Sequence, residues 1–261
     1  MTATCADPMP DSPTTLITIA TYNELANLPR LLPEIFKILP AAHVLVVDDD
    51  SPDGTGRWCD EQAAADPRVR CIHRSGKLGL GGAIIAGLKY GIEHGYEFVI
   101  NMDADLSHDP RYLPDLLDRM NRDGPGAVDV MIGSRYVAGG TIEGWPIKRH
   151  LMSRAINLYT RAVLGLRCKD CSGGFRCFRT SRLRQLDFSS IVSSGYSFHE
   201  ELLWRLKQAG CRIDETPIKF VDRVNGDSKI NPREAWNALR ILAGLGGKSL
   251  IRRNGHSNDQ R

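Results

Sequence analysis

The chain of 261 residues has no long apolar run. Its best stretches, residues 83–88 and 241–245, are flanked by Lys89 and Arg240 and fall far short of the ~20 residues of a membrane-spanning helix. The N-terminal residues carry Asp7 and Asp11 among prolines with no apolar stretch, so no signal peptide is read there. Charge of one sign is also scarce: 34 basic against 31 acidic side chains give a net of +3. The excess is confined to residues 230–261, where six basic side chains face Glu234 and Asp259, a net of +4. The remaining body, with 28 basic and 29 acidic side chains, has no basic groove for nucleic acid. Seven cysteines, an odd number, predict reduced thiols in a cytosolic protein. Cys168-x2-Cys171-x5-Cys177 resembles half of a metal site but lacks a fourth ligand at usable spacing. No GxGxxG follows the first apolar run, and Gly247-Lys248-Ser249 has leucine at position 242, so neither dinucleotide fingerprint nor P-loop is present.

What is present is ordinary globular composition, 42% hydrophobic and 25% charged, which excludes disordered, collagen-like and disulfide-scaffold classes. Residues 1–13 read as a disordered lead, 14–230 as a single α/β domain, and 231–261 as a basic amphipathic helix and tail. Strands are predicted at residues 16–20, 43–47, 69–73, 98–102 and 128–132, separated by helices at 25–39, 55–65, 81–94 and 110–121. Asn23 is the expected N-cap of the first helix. Five apolar strands alternating with helices predict a mostly parallel, Rossmann-like sheet covered on both faces. The second half is less regular: a loop at 139–146, helices at 149–164 and 198–209, strands at 174–178 and 213–220, and a helix over 232–253.

In an open parallel sheet, ligands bind beyond the carboxyl ends of the strands. The residues there are Ala20-Thr21-Tyr22-Asn23-Glu24, then Asp48-Asp49-Asp50-Ser51-Pro52-Asp53-Gly54-Thr55, then Asp103-Ala104-Asp105, then Gly133-Ser134-Arg135. Bunched carboxylates on one edge call for something positive among them. The plain alternative is that Asp and Ser merely cap the following helices and make turns. Asp103-x-Asp105 offers two hard oxygen ligands to Mg²⁺ or Mn²⁺, which would in turn hold a diphosphate. His108 beside it reads as a residue that opens the next helix rather than as a ligand.

These segments resemble the inverting family 2 glycosyltransferases, and more narrowly the dolichol-phosphate (polyprenol-phosphate) mannose synthases. The narrower likeness rests on Gly139-Gly140-x2-Glu143-x-Trp145-Pro146, Asp170-x-Ser172-Gly173-Gly174-Phe175, Gly195-Tyr196-x-Phe198-x2-Glu201 and Arg223-x2-Gly226-x-Ser228-Lys229. It spans about residues 16–230 and implies a glycosyltransferase-A fold that binds GDP-mannose and Mg²⁺ or Mn²⁺. By that resemblance Ala20, Tyr22 and Glu24 line a guanosine pocket completed by Val47 and Asp49. Asp103, Ala104 and Asp105 face ribose, diphosphate and metal, with Ser107 a weak metal ligand where some members have glutamine. Arg223 and Lys229 clamp the diphosphate from a loop hinged at Gly226. Arg135 and Arg149 receive the acceptor phosphate, and Glu201 completes the set with Asp105; the plain alternatives are that Arg149 is an ordinary helix-surface arginine and that Glu200 or Glu201 only pairs with Arg205. The expected activity is inverting transfer of mannose from GDP-mannose to a polyprenyl phosphate on the cytoplasmic face of a membrane. The protein is expected to be peripheral there, held by its basic C-terminal helix or by a separate anchoring subunit; the plain alternative is that this helix packs on the domain with a solvated basic face. Rival readings are a polyprenyl-phosphate glucosyltransferase using a UDP-sugar, a non-catalytic sugar-nucleotide-binding subunit, and a nucleotidyltransferase. The last would need a Gly-rich basic loop where this chain has Tyr22 and Glu24.

Overall fold

The computed structural model describes residues 15–77, 79–121, 127–193, 195, 197–222 and 239–247. Strand β1 (Thr15–Thr21) is buried at every position but Ala20, as a strand covered on both faces must be. Beside it run β2 (His43–Asp48), β3 (Val69–His73) and β4 (Phe98–Asp103), all parallel, in the order β3-β2-β1-β4. Helices α1 (Leu28–Ile38), α2 (Thr55–Ala65) and α3 (Leu80–Glu93) make the crossovers. Leu16 and Ile17 fall into separate apolar clusters, one on each face of the sheet. The α3 helix lies unusually close to it: a Cβ on Gly91 would stand 2.2 Å from Val99, so only glycine fits. The expected N-cap moves, because Asn23 adopts a left-handed φ of 63° and Asn27 occupies the cap of α1. Pro110–Tyr112 is a 3-10 turn that leads into the short helix α4 (Leu113–Asp118).

The second half departs from the expected order. Strand β5 (Val130–Ser134) does not pair with β4, since an antiparallel strand lies between them. After β5 come β6 (Thr141–Glu143), read as loop from the sequence, and the long helix α5 (Ile147–Leu164). The intervening strand is β7 (Arg176–Arg179), followed by α6 (Thr180–Leu183), α7 (Phe198–Gln208), β8 (Ile213–Pro217) and β9 (Lys219–Val221). The seven-stranded sheet runs β3-β2-β1-β4-β7-β5-β8, and β6 pairs with β9 in a second, two-stranded sheet. The strand expected over 213–220 therefore divides. Pro217 has no N–H to carry the ladder on, and Ile218 instead donates to Ser134 and accepts from Thr141, bridging the two sheets.

Of the helix expected over 232–253, the described part is helical at 239–247. There Leu242 and Leu245 are buried in the core cluster that holds Leu164 and Leu166, so these two face the domain and not a lipid surface. Among the described residues no helix is long and apolar enough to cross a membrane.

Candidate active site

Register places the site. Ala20 is paired with Val47 on one side and with Asp103 on the other, so three expected site residues form a row across β2, β1 and β4. Because β7 runs antiparallel, its leading end lies at this same carboxyl edge. Asn101 donates from Nδ2 to the Gly174 carbonyl (2.7 Å), which draws the 170–174 loop against β4. A Cβ on Gly174 would meet Asp103 Oδ1 at 3.3 Å and His199 Nε2 at 3.2 Å, so glycine keeps that approach open.

The carboxylates bunched in the sequence separate into distinct roles. Asp48 is buried and accepts from the Thr21 hydroxyl (3.0 Å) and the Ser51 backbone (3.0 Å). Asp53 accepts from the Thr55 backbone (2.9 Å) and hydroxyl (2.6 Å) and from the Leu25 backbone (3.1 Å), tying the loop after β1 to the start of α2. For these two the turn-making reading holds, while the cap of α2 is Gly54, which has no side chain to bond. Asp49 is buried against Arg74 (2.5 Å) and accepts from the Gly79 backbone (3.2 Å). Glu24 accepts from Asn27 Nδ2 (2.7 Å). The Tyr22 ring is partly exposed and carries Lys77 Nζ 3.9 Å above it, a cation that sequence reasoning missed. A cavity of about 370 Å³ opens beside this group, lined by Asp50, Arg57, His73 and Arg74 among others.

At Asp103-x-Asp105 the chain curls back on itself through Leu106, whose φ is 63°. Asp105 Oδ1 accepts from the Ser107 backbone (3.1 Å) and hydroxyl (2.6 Å), so Ser107 is buried beneath Asp105 as its support. His108 does more than open a helix. It is buried, stacked on Phe175 with centroids 4.9 Å apart, and its Nδ1 accepts from the Asp103 backbone N–H at 3.0 Å. That bond assigns the proton to Nε2, 3.8 Å from the Asp103 carboxylate. Asp103 is 41% exposed and Asp105 partly so, and both offer hard oxygen donors suited to Mg²⁺ or Mn²⁺. Ala104 is buried between them.

Arg135 follows β5 and is only 8% exposed. Its Nε and Nη2 both donate to Asp170 at 2.8 Å, and Nη2 also donates to Ser172 at 3.0 Å. Burial alone would raise the Asp170 carboxyl, but the Arg135 charge and hydrogen bonds outweigh it and hold it below the usual range. Arg149, in the first turn of α5, pairs with Asp222 (2.8 Å) and lies 4.1 Å over the Trp145 ring. Arg135 lies 5.4 Å from that same ring, so one indole brings the two expected arginines together. Trp145 Nε1 is buried without a hydrogen-bond partner among the described residues. A second cavity, about 530 Å³, is lined by Arg135, Tyr136, Arg154, Asn157, Arg161 and Lys169, with other residues. Arg223 and Lys229, with Gly226 and Tyr196, lie outside the described residues.

Glu201 takes the plainer of its two expected places, the pair with Arg205. It is fully buried, and its oxygens accept from Arg205 (2.8 and 2.6 Å) and from the Val192 and Ser193 backbones, so it anchors the 190–193 segment on α7. The acid that faces the buried polar network is its neighbour, Glu200. Desolvation pushes the Glu200 carboxyl from 4.5 up to about 7, against the lowering effects of Arg176 and Arg135. The stability this group contributes is fully present below about pH 4.5 and is lost as pH rises through about 7. Glu200→Gln removes the titration. Between pH 4.5 and pH 8 the variant should therefore gain about 3 kcal/mol on the parent, read from denaturant unfolding at the two pH values. A difference that does not change with pH would refute this.

Residues 16–187 match the family model described as glycosyl transferase family 2. The undecaprenyl-phosphate mannosyltransferase of Micrococcus luteus is 46% identical over 216 residues, covering 83% of this chain and 87% of that one. The polyprenol monophosphomannose synthase of Mycolicibacterium smegmatis is 44% identical over 250 residues, covering 95% and 93%. Among solved structures, glucosyl-3-phosphoglycerate synthase from Mycobacterium tuberculosis, in complex with Mn²⁺, UDP-glucose and phosphoglyceric acid, aligns with a TM-score of 0.64. Its sequence identity is 17%, over 90% of this chain and 80% of that one, a likeness of fold. With its helix-flanked, mostly parallel sheet and its Asp103-x-Asp105 edge, the chain belongs to glycosyl transferase family 2 and is a glycosyltransferase enzyme of the glycosyltransferase-A fold.

Proposed function

We propose that the enzyme transfers mannose from GDP-mannose to a polyprenyl phosphate with inversion at the anomeric carbon. The observation that carries this reading is the division of one sheet edge. The Val47–Ala20–Asp103 row with Asp105 forms an acidic half, and Arg135 and Arg149 around Trp145 form a basic one. Two relatives named for making mannosyl polyprenyl phosphates support the transferred sugar and the acceptor class. Val47, Ala20, Tyr22, Glu24 and Asp49 hold the nucleoside, and Arg223 and Lys229 grip the diphosphate. A divalent cation, Mg²⁺ or Mn²⁺, held by Asp103 and Asp105 with Ser107 behind them, would supply positive charge to the departing diphosphate.

The acceptor phosphate is oriented by Arg149 and by Arg135, whose Nη1 is the nitrogen that Asp170 and Ser172 leave over. An acceptor oxygen forms the new bond to mannose C1 as the bond to the diphosphate oxygen breaks, and GDP leaves with that electron pair. A phosphate monoester has its second pKa near ~6, so the nucleophile is already largely dianionic at pH 7. The site therefore needs no strong base, and its work is positioning two anions.

The acceptor is a membrane lipid, and α5 supplies the face that meets it. Ile147, Leu151 and Leu158 are 78%, 63% and 66% exposed. They lie along one side of a helix that carries Lys148, Arg154 and Arg161 and no acid. An apolar stripe with basic flanks suits an anionic bilayer surface on the cytoplasmic side, with or without a separate anchoring subunit.

The test uses radiolabelled GDP-mannose or UDP-glucose, Mn²⁺ with and without EDTA, and acceptor either in anionic liposomes or as a short water-soluble polyprenyl phosphate. Label should enter lipid from GDP-mannose alone and only with metal; transfer from UDP-glucose would replace the donor. Leu151→Asp with Leu158→Asp should lower transfer in liposomes roughly tenfold or more and spare the short acceptor. Equal losses on both acceptors would remove α5 from the membrane.

A further inference from the structure

Strand β3 is an edge strand, and Cys71 and His73, two residues apart, project from the same side of it. Helix α2 covers β3 with Cys59 and Asp60. One ligand atom from each of Asp60, Cys71 and His73 lies within 4.8 Å of the other two, and His73 Nε2 is 2.8 Å from Asp60 Oδ1. A surface ion pair would account for His73 and Asp60, but it needs no thiol beside them.

We propose that Asp60, Cys71 and His73 form a second metal site, separate from the Asp103–Asp105 edge, for a borderline-soft divalent cation of the Zn²⁺ or Co²⁺ class. A sulfur, nitrogen and oxygen set matches the ligands that Zn²⁺ takes and is a poor match for Mg²⁺ or Mn²⁺. Tetrahedral geometry sets sulfur–nitrogen separations of roughly 3.5 Å and nitrogen–oxygen separations of roughly 3.3 Å, so the 2.8 Å His73–Asp60 contact opens slightly as the ion enters, and both Asp60 and His73 are exposed enough to move. Three protein ligands leave a fourth position for water. Binding displaces the Cys71 thiol proton and ties α2 to the edge strand. His73 also lines the 370 Å³ cavity, so the ion stiffens one wall of it.

The proposal does not depend on the mannosyl-transfer reading, and its test separates the two metal sites. The full-length protein, stripped with chelator, is titrated with Co²⁺ and followed by absorption. A thiolate–Co²⁺ charge-transfer band should saturate at one ion per chain and be abolished by added Zn²⁺. The Asp103–Asp105 site contains no thiolate and gives no such band. Asp103→Asn and Cys168→Ser should keep the band, and Cys71→Ser should lose it. His73→Asn and Asp60→Asn, both at exposed positions, should weaken Co²⁺ binding at least about tenfold while leaving the circular dichroism of the metal-free protein unchanged. The proposal fails if no thiolate band forms, if the band survives Cys71→Ser, or if Cys168→Ser removes it.

Discussion

Asp105→Asn should lower glycosyl transfer by about three orders of magnitude and leave the folded protein intact. The substitution keeps an oxygen that can still accept from Ser107, whose backbone and hydroxyl lie 3.1 and 2.6 Å from Asp105 Oδ1. The turn through Leu106 is thus retained, and what disappears is one negative charge. Removing a single preorganised partner of a developing charge costs about 10²–10³ in rate, and losing a metal ligand adds the weakened hold on the ion. Ser107→Ala makes the complementary case. It keeps the charge and removes a supporting hydroxyl, for a loss of roughly tenfold or less. His108→Asn should fall between, since the imidazole that accepts from the Asp103 backbone also stacks on Phe175. Initial rates at saturating Mn²⁺, with thermal unfolding beside them, check the series. Activity of Asp105→Asn within tenfold of the parent would take Asp105 out of the metal site.

The first four strands and their crossovers were legible because each is a short apolar run bounded by turn residues, and a strand covered on both faces leaves that trace in sequence. Their alternation with helices put the ends of β1, β2 and β4 at one sheet edge, while the pairing that sets Val47, Ala20 and Asp103 side by side is long-range and shows only in the fold. Strand β7 was legible as a short strand over 174–178, but neither its antiparallel direction nor its place between β4 and β5 was. It has four residues, Arg-Cys-Phe-Arg, and Arg176 is fully buried, donating to the His199 and Cys171 carbonyls at 2.8 and 2.6 Å. A charged residue in the centre of a sheet reads as a surface position, and only tertiary contacts reverse that. The exchange of Glu200 and Glu201 has the same origin. The first turns of α7 are buried on every side, so its helical pattern cannot show which glutamate meets which neighbour. His108 looked like a residue opening a helix because its role depends on Phe175, far along the chain. The basic C-terminal segment had the composition of a membrane anchor, but the burial of Leu242 and Leu245 gives their side of it to the protein core.

Asp170→Ala should be the most damaging single change to stability, costing about 3–5 kcal/mol. The carboxylate is fully buried and receives four protein donors: Arg135 through its backbone, Nε and Nη2, and the Gly173 backbone at 2.9 Å. Taking it away leaves a guanidinium with almost no water and strips the Arg135 and Gly173 backbone N–H groups of this acceptor. That is the costly half of the asymmetry between breaking a buried pair and never having one. At about 2–4 °C per kcal/mol for a chain of this size, the unfolding midpoint should fall by roughly 10 °C. Replacing both partners, as in Arg135→Met with Asp170→Leu, removes the charge and its counter-charge together and should recover much of the loss. A double variant no more stable than Asp170→Ala would show that the pair is not the source of the cost. Function separates the partners in another way. Asp170→Asn retains an acceptor for Arg135 but loosens its fork, so the acceptor KM should rise while the donor KM stays near the parent value. If the KM for both substrates rises alike, Asp170 serves the fold alone, and the acceptor phosphate is oriented by Arg149 without help from Arg135.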